Sequence, residues 1–353
     1  MNAPLVTVLI DAYNYGHYVE EAVESVLAQE FPRELREILV VDDGSTDDTE
    51  ERLKKYGDSI RYLRKPNGGQ ASAFNFGFAA ARGEIVAMLD ADDLWLPDKL
   101  RRLCETFEKN PDAGMVYHRT HLWRGGEQLE ADNYFAEVSG RIPENRAALL
   151  SYPMVGTSCL AFRRSVLHLL MPVPEALRSQ ADAYLTALVI FVAPVVALPE
   201  FLAKYRLHGA NLFQSHTGGA ARDAVEHRMA MRAALFTEIR AWLERNGHDL
   251  SSPDLCVYLK QWTKAQEADC FRLRKPNRWE YFRHLFEFPR IYGETMSVRH
   301  RLYSYIRAFA TLVLGYDHLH LLEKLRRGYK GLLGKPFEGA LLPKERKEAA
   351  TNG

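Results

Sequence analysis

Three apolar runs in the N-terminal part of the chain each stop on acid. Val6–Ile10 ends at Asp11, Glu37–Val41 at Asp42 and Asp43, and Glu84–Leu89 at Asp90. Runs of this length and content are the pattern of strands buried on both faces. Helical spacing fills the gaps. Gly16–Gln29 carries Tyr18, Ala22, Val23, Val26 and Leu27 on one side, and Thr46–Tyr56 and Gly69–Arg82 are further helices. Ser45 or Thr46 is expected to cap the second, with Asp47 and Asp48 at its positive end. Ser59–Leu63 and Ala113–His118 add strands, and Pro97 opens a helix to Lys109. This alternation predicts an α/β fold, a mostly parallel sheet with helices on both faces. Such sheets take ligands at the carboxyl ends of their strands. The acids of VVDDGS and DADD, and the polar cluster Asp11–Asn14, all belong on that rim.

The pattern weakens from Tyr117 to Tyr152, where Asn145–Leu150 reads as a short helix. Thr157–Phe162 is expected as a strand, Gln180–Phe191 as a helix and Val195–Tyr205 as an extended segment interrupted near Pro199. Beyond Gly218 the chain turns helical, over Ala220–Arg245, Leu255–Leu273, Trp279–Phe288 and Arg299–Leu314. The expected division is therefore 1–218 and 219–353. Charge divides similarly: the net charge is zero, yet Ala221–Gly353 holds 24 Lys and Arg against 16 Asp and Glu. The four cysteines have no metal or disulfide spacing and read as reduced thiols of a cytoplasmic protein. The N-terminal MNAPLVTVLI lacks the features of a signal peptide.

Asp90 and Asp92, two residues apart at a strand end, cannot both be buried as ions without neutralisation. A hard divalent cation, Mg²⁺ or Mn²⁺, does this through oxygen ligands and commonly bridges to substrate phosphates. The alternative is a solvated turn before the next helix. VVDDGSTDDT reads either as a well-capped helix start or as a strand end whose carboxylate meets a base N–H or a ribose hydroxyl. KPNGGQ, residues 65–70, is either an ordinary turn or a loop whose backbone N–H groups approach a phosphate at a helix N-terminus. It matches neither GxGxxG nor GxxxxGK[ST], which disfavours a nicotinamide enzyme and a P-loop NTPase.

Taken together, VTVLIDAYNYGHYVEEAVESVLAQEFP, ILVVDDGSTDDT and KPNGGQASAFNFGFAAARGEIVAMLDADDLW closely resemble the family 2 glycosyltransferases of GT-A fold, over about residues 5–210. The resemblance implies sugar transfer from a nucleotide-sugar to an acceptor, usually with inversion and with Mn²⁺ or Mg²⁺, and favours a UDP-sugar. It places Ala12, Tyr13 and Asn14 beside the nucleotide base and Asp43 in contact with it. Gly69 and Gln70 fall in the loop that closes over the nucleotide. Asp90 and Asp92 match D-x-D, Asp92 as direct metal ligand and Asp90 nearer the ribose, with Ala91 between them among the nucleotide-sugar contacts. Asp11 stands where the family often has Pro or Thr, and its extra charge is expected to point away from the nucleotide.

An inverting transfer needs a base opposite the leaving group. The family supplies it from an acidic pair at a helix start, and in RSQADAYL the matching residue is Asp182, with Ala181 in place of the partner acid. Asp182 can alternatively serve only the positive end of its helix. YRLHGAN resembles the family's Y-R-x-H, which puts His208 at the metal or in a structural role, and gives Arg206 to the diphosphate. MVGTSCLAFRR, residues 154–164, is expected to wall the acceptor pocket. Trp95 and Trp123 either stack on a sugar or pack in the core.

From Cys270 to the end the chain holds 17 basic and 8 acidic residues, with YSYIRAFATLVLGY followed by LLEKLRRGYKGLLGK. Either this region lies peripherally on the inner face of an anionic membrane, or it is a helical appendage with solvated cations. No nucleic-acid module is present. The leading expectation is a glycosyltransferase acting on a glycan, lipid-linked or other hydroxyl acceptor in surface polysaccharide or glycoconjugate synthesis. The alternatives are a sugar nucleotidyltransferase and a degenerate binding or scaffold protein.

Overall fold

The computed structural model describes residues 4–129, 138–141, 155–208, 222–256, 258–260, 263 and 278–291, and scattered positions from 302 to 313. In chain order the elements are β1 (Val6–Ala12), α1 (Gly16–Leu27), β2 (Arg36–Asp42), α2 (Thr49–Leu53), β3 (Arg61–Arg64), α3 (Gln70–Ala80), β4 (Ile85–Asp90), β5 (Leu94–Trp95) and α4 (Lys99–Lys109). They continue with β6 (Met115–Arg124), β7 (Glu127–Gln128), β8 (Leu160–Arg163), α5 (Arg164–Leu170), α6 (Ala181–Val192), β9 (Val195–Arg206), α7 (Arg222–Arg245) and α8 (Arg278–Ile291). The short helix expected over Asn145–Leu150 and the division at Gly218 lie outside the described residues.

The strands form one mixed sheet in the order β3-β2-β1-β4-β8-β6-β9-β5, with β7 on β6. From β3 to β4 neighbours are parallel. β8 runs antiparallel between β4 and β6, and β9 is parallel to β6. The apolar runs are buried on both faces, as their composition predicts. Val6, Val8, Leu9 and Ile10 of β1 and Val86, Ala87, Met88 and Leu89 of β4 are at most 1% exposed. Burial of side chains of this size contributes roughly 1.5–3 kcal/mol each, so the centre of the sheet is the firmest part of the frame. Because β1, β2 and β4 are parallel, their carboxyl ends share one edge, with Asp11 in register with Asp90 and Ala12 with Asp42.

Three local expectations change. The helix expected over Thr46–Tyr56 is α-helical only at Thr49–Leu53 and continues as a 3₁₀ turn over Lys54–Ser59, broken by Gly57 at φ +46°. Its start is held by Asp47, whose Oδ1 accepts from the Thr49 backbone and hydroxyl, and not by Ser45 or Thr46. Thr157–Cys159 forms a 3₁₀ turn, so the strand begins at Leu160. Val195–Arg206 stays extended through Pro199, and the register against β6 jumps from His118–Leu198 to Arg119–Phe201. The bulge takes up the residue that has no N–H to give the ladder.

The structure divides into two units. The first comprises Met1–Asn211 with Ala230–Leu259, the second Leu212–Met229 with Lys260–Gly353. In the first, the Tyr258 hydroxyl donates to Ala187 O on α6 at 2.9 Å, and Phe191 of α6 meets the Tyr258 ring edge-on. In the second, α8 and the helical positions near 302–313 share an aromatic cluster. Among the described residues no helix is long and apolar enough to cross a membrane.

Candidate active site

The loops that follow β1 and β2 are laced together. Asn14, in the left-handed region at φ +57°, donates its N–H to Ser45 Oγ (2.9 Å) and accepts from Thr46 N (2.8 Å). Gly16 N donates to Asp47 Oδ2 at 2.9 Å. Asn14 thus holds the two loops in register. Ala12 is buried beneath them, and Tyr13 projects outward, 45% exposed.

Asp42 and Asp43 part company at the end of β2. Asp42 is wholly buried, taking hydrogen bonds from Ser45 N and the Tyr62 hydroxyl. Asp43 turns to the glycine-rich loop, where Lys65 Nζ (2.6 Å), Gly68 N (2.9 Å) and Gly69 N (2.6 Å) all donate to it. Two glycines are required by this approach. A Cβ on Gly44, at φ +78°, would lie 2.8 Å from Asn67 N, and one on Gly69, at φ +85°, 2.7 Å from Arg178 Cα. Gln70 leads from this loop to the far side of the site. Its Oε1 accepts from Ala181 N (2.9 Å) and its Nε2 reaches Thr157 Oγ1 (3.4 Å).

At the end of β4, ligand atoms of Asp90, Asp92 and Asp93 lie within 4.8 Å of one another. Burial, then the neighbouring carboxylates, holds the carboxyls of Asp90 and Asp93 well above the usual range. Chain segments far apart in sequence meet here. His208 Nε2 is 2.8 Å from Asp92 Oδ2 and its ring stacks on Tyr18. Arg206 donates from its backbone N to Asp93 Oδ1 (2.9 Å), and from its guanidinium to Asp92 O (2.8 Å) and Glu21 (2.7 Å). These contacts make Arg206 the tie between β9 and the D-x-D turn. A set of oxygen donors plus one imidazole, with buried acids repelling one another, fits a hard or borderline divalent cation.

Asp11 does not point away. Its carboxyl hydrogen-bonds that of Asp90 and feels the charges of Asp92 and Asp182, and burial foremost pushes it up to about 7. Parallel register places it there, since Asp11 and Asp90 are neighbours on adjacent strands. Asp182, in the first turn of α6, accepts from Ala183 N (2.8 Å) and from Thr157 Oγ1 (3.3 Å). Burial raises its carboxyl above the ordinary value. A carboxylate made more basic this way suits proton abstraction.

The structure therefore gathers Asp90, Asp92, Asp182, Arg206 and His208, with Ala91 buried between the two acids. Asp43, Gly69 and Gln70 form a second group, joined to the first through Thr157. Several contributors carry no motif. Lys99, fully buried, donates to Ser158 O at 2.6 Å and lies over the Trp95 ring. Ser158 Oγ in turn accepts from Asp90 N at 3.0 Å. Burial foremost, then the charges of Asp92, Asp90 and Asp11, raises the pKa of the Tyr15 hydroxyl, which also hydrogen-bonds Asp92. The 157–159 turn, expected at an acceptor wall, thus braces the D-x-D from beneath. Trp95, 4% exposed, is packed in the core. The signal for Lys99 was its place just after DADDLWLP, where a lysine reads by default as solvated.

Residues 7–170 match the model of the family described as glycosyl transferase family 2. An uncharacterized glycosyltransferase of Nostoc sp. is 38% identical over 256 residues, covering 69% of this chain and 77% of that one. Another, from Rickettsia typhi, is 31% identical over 270 residues, covering 73% and 81%. Among solved structures, S. aureus TarS in complex with UDP aligns with a TM-score of 0.56 at 19% identity, over 92% of this chain and 91% of that one. The mannosyltransferase PcManGT from Pyrobaculum calidifontis, in complex with GDP-Man and Mn2+, gives 0.51 at 20% identity, over 93% and 85%. The likeness to these structures is one of fold, the GT-A arrangement that the motifs predicted.

Proposed function

The chain belongs to glycosyl transferase family 2, and on that premise we propose that it moves a sugar from a nucleotide-diphosphate sugar, a UDP-sugar by preference, onto a hydroxyl acceptor with inversion. The acceptor is a glycan, a lipid-linked sugar or another hydroxyl compound of surface polysaccharide or glycoconjugate synthesis. The observation that carries this proposal is the convergence of Asp92, His208 and Asp182 from β4, the end of β9 and α6. Asp92 and His208 would hold Mn²⁺ or Mg²⁺, with Asp90 alongside. When bound, such an ion neutralises charge on the departing diphosphate.

The protein's own groups do the rest. Tyr13, Asn14 and Asp43 define the base side, with Asp43 exchanging its Lys65 and glycine-loop contacts for the nucleotide. Gly69 and Gln70 border the nucleotide and link it to α6. Asp182 takes the proton of the acceptor hydroxyl as that oxygen attacks the anomeric carbon, and the nucleoside diphosphate leaves from the opposite face. Thr157 fixes the Asp182 carboxyl for that step. That TarS forms a complex with UDP and PcManGT a complex with GDP-Man supports a nucleotide-linked donor.

The basic C-terminal region docks on an anionic lipid surface in the same reading. Leu302, Ile306, Phe309 and Val313 are 52–72% exposed at helical spacing, and Trp279 is 64% exposed beside the Phe282–Phe309 pair. An apolar stripe within a segment of 17 basic and 8 acidic residues has the character of an interfacial helix.

The test is product analysis with nucleotide-sugars and Mn²⁺. Release of nucleoside diphosphate, abolished in a folded Asp92→Ala variant, is the expected result. Release of pyrophosphate would make the protein a nucleotidyltransferase, and full activity of Asp92→Ala would remove the metal role.

A further inference from the structure

Lys99 opens α4 and is fully buried. An ammonium taken out of water is costly, and an apolar side chain of similar length would fill the space without that cost. Its partners show where the charge is spent. Nζ donates to Ser158 O at 2.6 Å and lies 3.7 Å from the centre of the Trp95 ring. The hydrogen bond goes to a peptide carbonyl of the 157–159 turn, so the cation fixes backbone. The backbone around Lys99 is fixed in turn. Gln29, just after α1, donates from Nε2 to Leu96 O (2.7 Å) and accepts from Leu100 N (3.0 Å), and Leu96 N donates to Leu202 O of β9 (3.0 Å).

The turn that Lys99 holds touches both halves of the site. Ser158 Oγ accepts from Asp90 N at 3.0 Å. Thr157 Oγ1 donates to Asp182 Oδ2 (3.3 Å) and accepts from Gln70 Nε2 (3.4 Å). We propose that Lys99 is a positioning residue: it locks the 157–159 turn from beneath, and through Ser158 it sets where the D-x-D backbone stands relative to Asp182. It acts through the turn and not on the substrate. Misplacing reacting groups by an ångström can slow a reaction about a hundredfold, which is what such a lock prevents. The proposal rests on the transferase reading and adds a positioning residue to that same site.

The experiment pairs two readouts on the full chain, hydrogen–deuterium exchange of the segment Leu89–Trp95 and calorimetric titration of UDP and GDP with and without Mn²⁺. The variants are Lys99→Met, Ser158→Ala, the two combined, and Leu103→Ala, which trims a buried apolar side chain of the same helix. Lys99→Met should quicken exchange of Leu89–Trp95 by about tenfold, the scale of a charge-assisted hydrogen bond. It should cut the Mn²⁺ enhancement of nucleotide affinity by about fivefold to tenfold and leave affinity without Mn²⁺ within about twofold of wild type. Its melting temperature should fall less than that of Leu103→Ala, whose Mn²⁺ enhancement should stay that of wild type. Ser158→Ala should show the same two effects, and the combined variant should be little worse than either alone, because both interrupt one path. Unchanged exchange or an unchanged Mn²⁺ enhancement in Lys99→Met overturns the proposal, and so do strictly additive effects in the combined variant. Equal losses in Leu103→Ala and Lys99→Met overturn it in favour of a merely structural lysine. A wild-type chain that binds neither nucleotide, with or without Mn²⁺, sinks the transferase reading instead, and the exchange measurement then still decides whether Lys99 holds the D-x-D turn.

Discussion

A carboxylate buried at the rim of the sheet has little water with which to share its charge, and Asp11, Asp90 and Asp93 after the strands and Asp182 at the start of α6 all show the consequence in raised proton affinity. For Asp11 the effect has a testable sign. Its carboxyl titrates at about 7 in the folded protein against an ordinary 3.8. Folding therefore takes up a proton between those values, and the metal-free protein loses stability as pH rises through that window, with no further loss above it. Asp11→Asn removes this dependence. Without metal, its melting temperature should match wild type near pH 4, exceed it by a margin that grows towards pH 7, and keep that margin above. A difference independent of pH would contradict the assignment. For Asp182 the prediction is kinetic. Asp182→Asn should lower kcat by about a hundredfold to ten-thousandfold, as loss of a general base does, with donor affinity unchanged. Undiminished turnover would place the base elsewhere.

At the scale of elements, the apolar runs and the helical spacing between them located β1, α1, β2, α3, β4, α4 and α6 to within a few residues. Their signals are local: β-rich apolar content, periodicity and the turn residues between. What escaped was set by contacts across the sheet. The bulge at Pro199 appears only when β9 is laid against β6, and the 3₁₀ turn at Thr157–Cys159 follows from its place under β4, where Lys99 and Asp90 N pin Ser158. The orientation of Asp11 is of the same kind, because it follows from pairing with Asp90 and not from its own neighbours in sequence. Of the site, Asp90, Asp92, His208 and Asp182 were legible as motifs. Lys99 and Tyr15 were not, since nothing local marks a lysine that is wholly buried or a tyrosine that reaches an acid. The C-terminal helices carry their own prediction. The chain should co-sediment with vesicles containing phosphatidylglycerol and not with pure phosphatidylcholine, and the double variant Ile306→Glu, Val313→Glu should stay in the supernatant. Equal sedimentation of the double variant would show that the apolar stripe is not the docking surface, and a concentration-dependent dimer lost in that variant would assign the stripe to a second copy of the chain.

Over the whole molecule, charge is unevenly distributed. Residues 1–220 carry the acidic excess, with the D-x-D turn among them, while the segment from Cys270 onward is strongly basic. An acidic site needs a cation before it can accept a diphosphate, since like charges repel most where water is scarce. The central claim is therefore that nucleotide affinity depends on a divalent ion held at Asp92. Calorimetric titration of UDP and GDP into the wild-type chain and into Asp92→Ala, each with and without Mn²⁺, tests it most directly. The account predicts that Mn²⁺ strengthens binding of one of these nucleotides to wild type by at least about tenfold, roughly 1.4 kcal/mol, and leaves the variant unaffected. Equal affinity with and without Mn²⁺ in wild type, or an undiminished Mn²⁺ effect in Asp92→Ala, would contradict it.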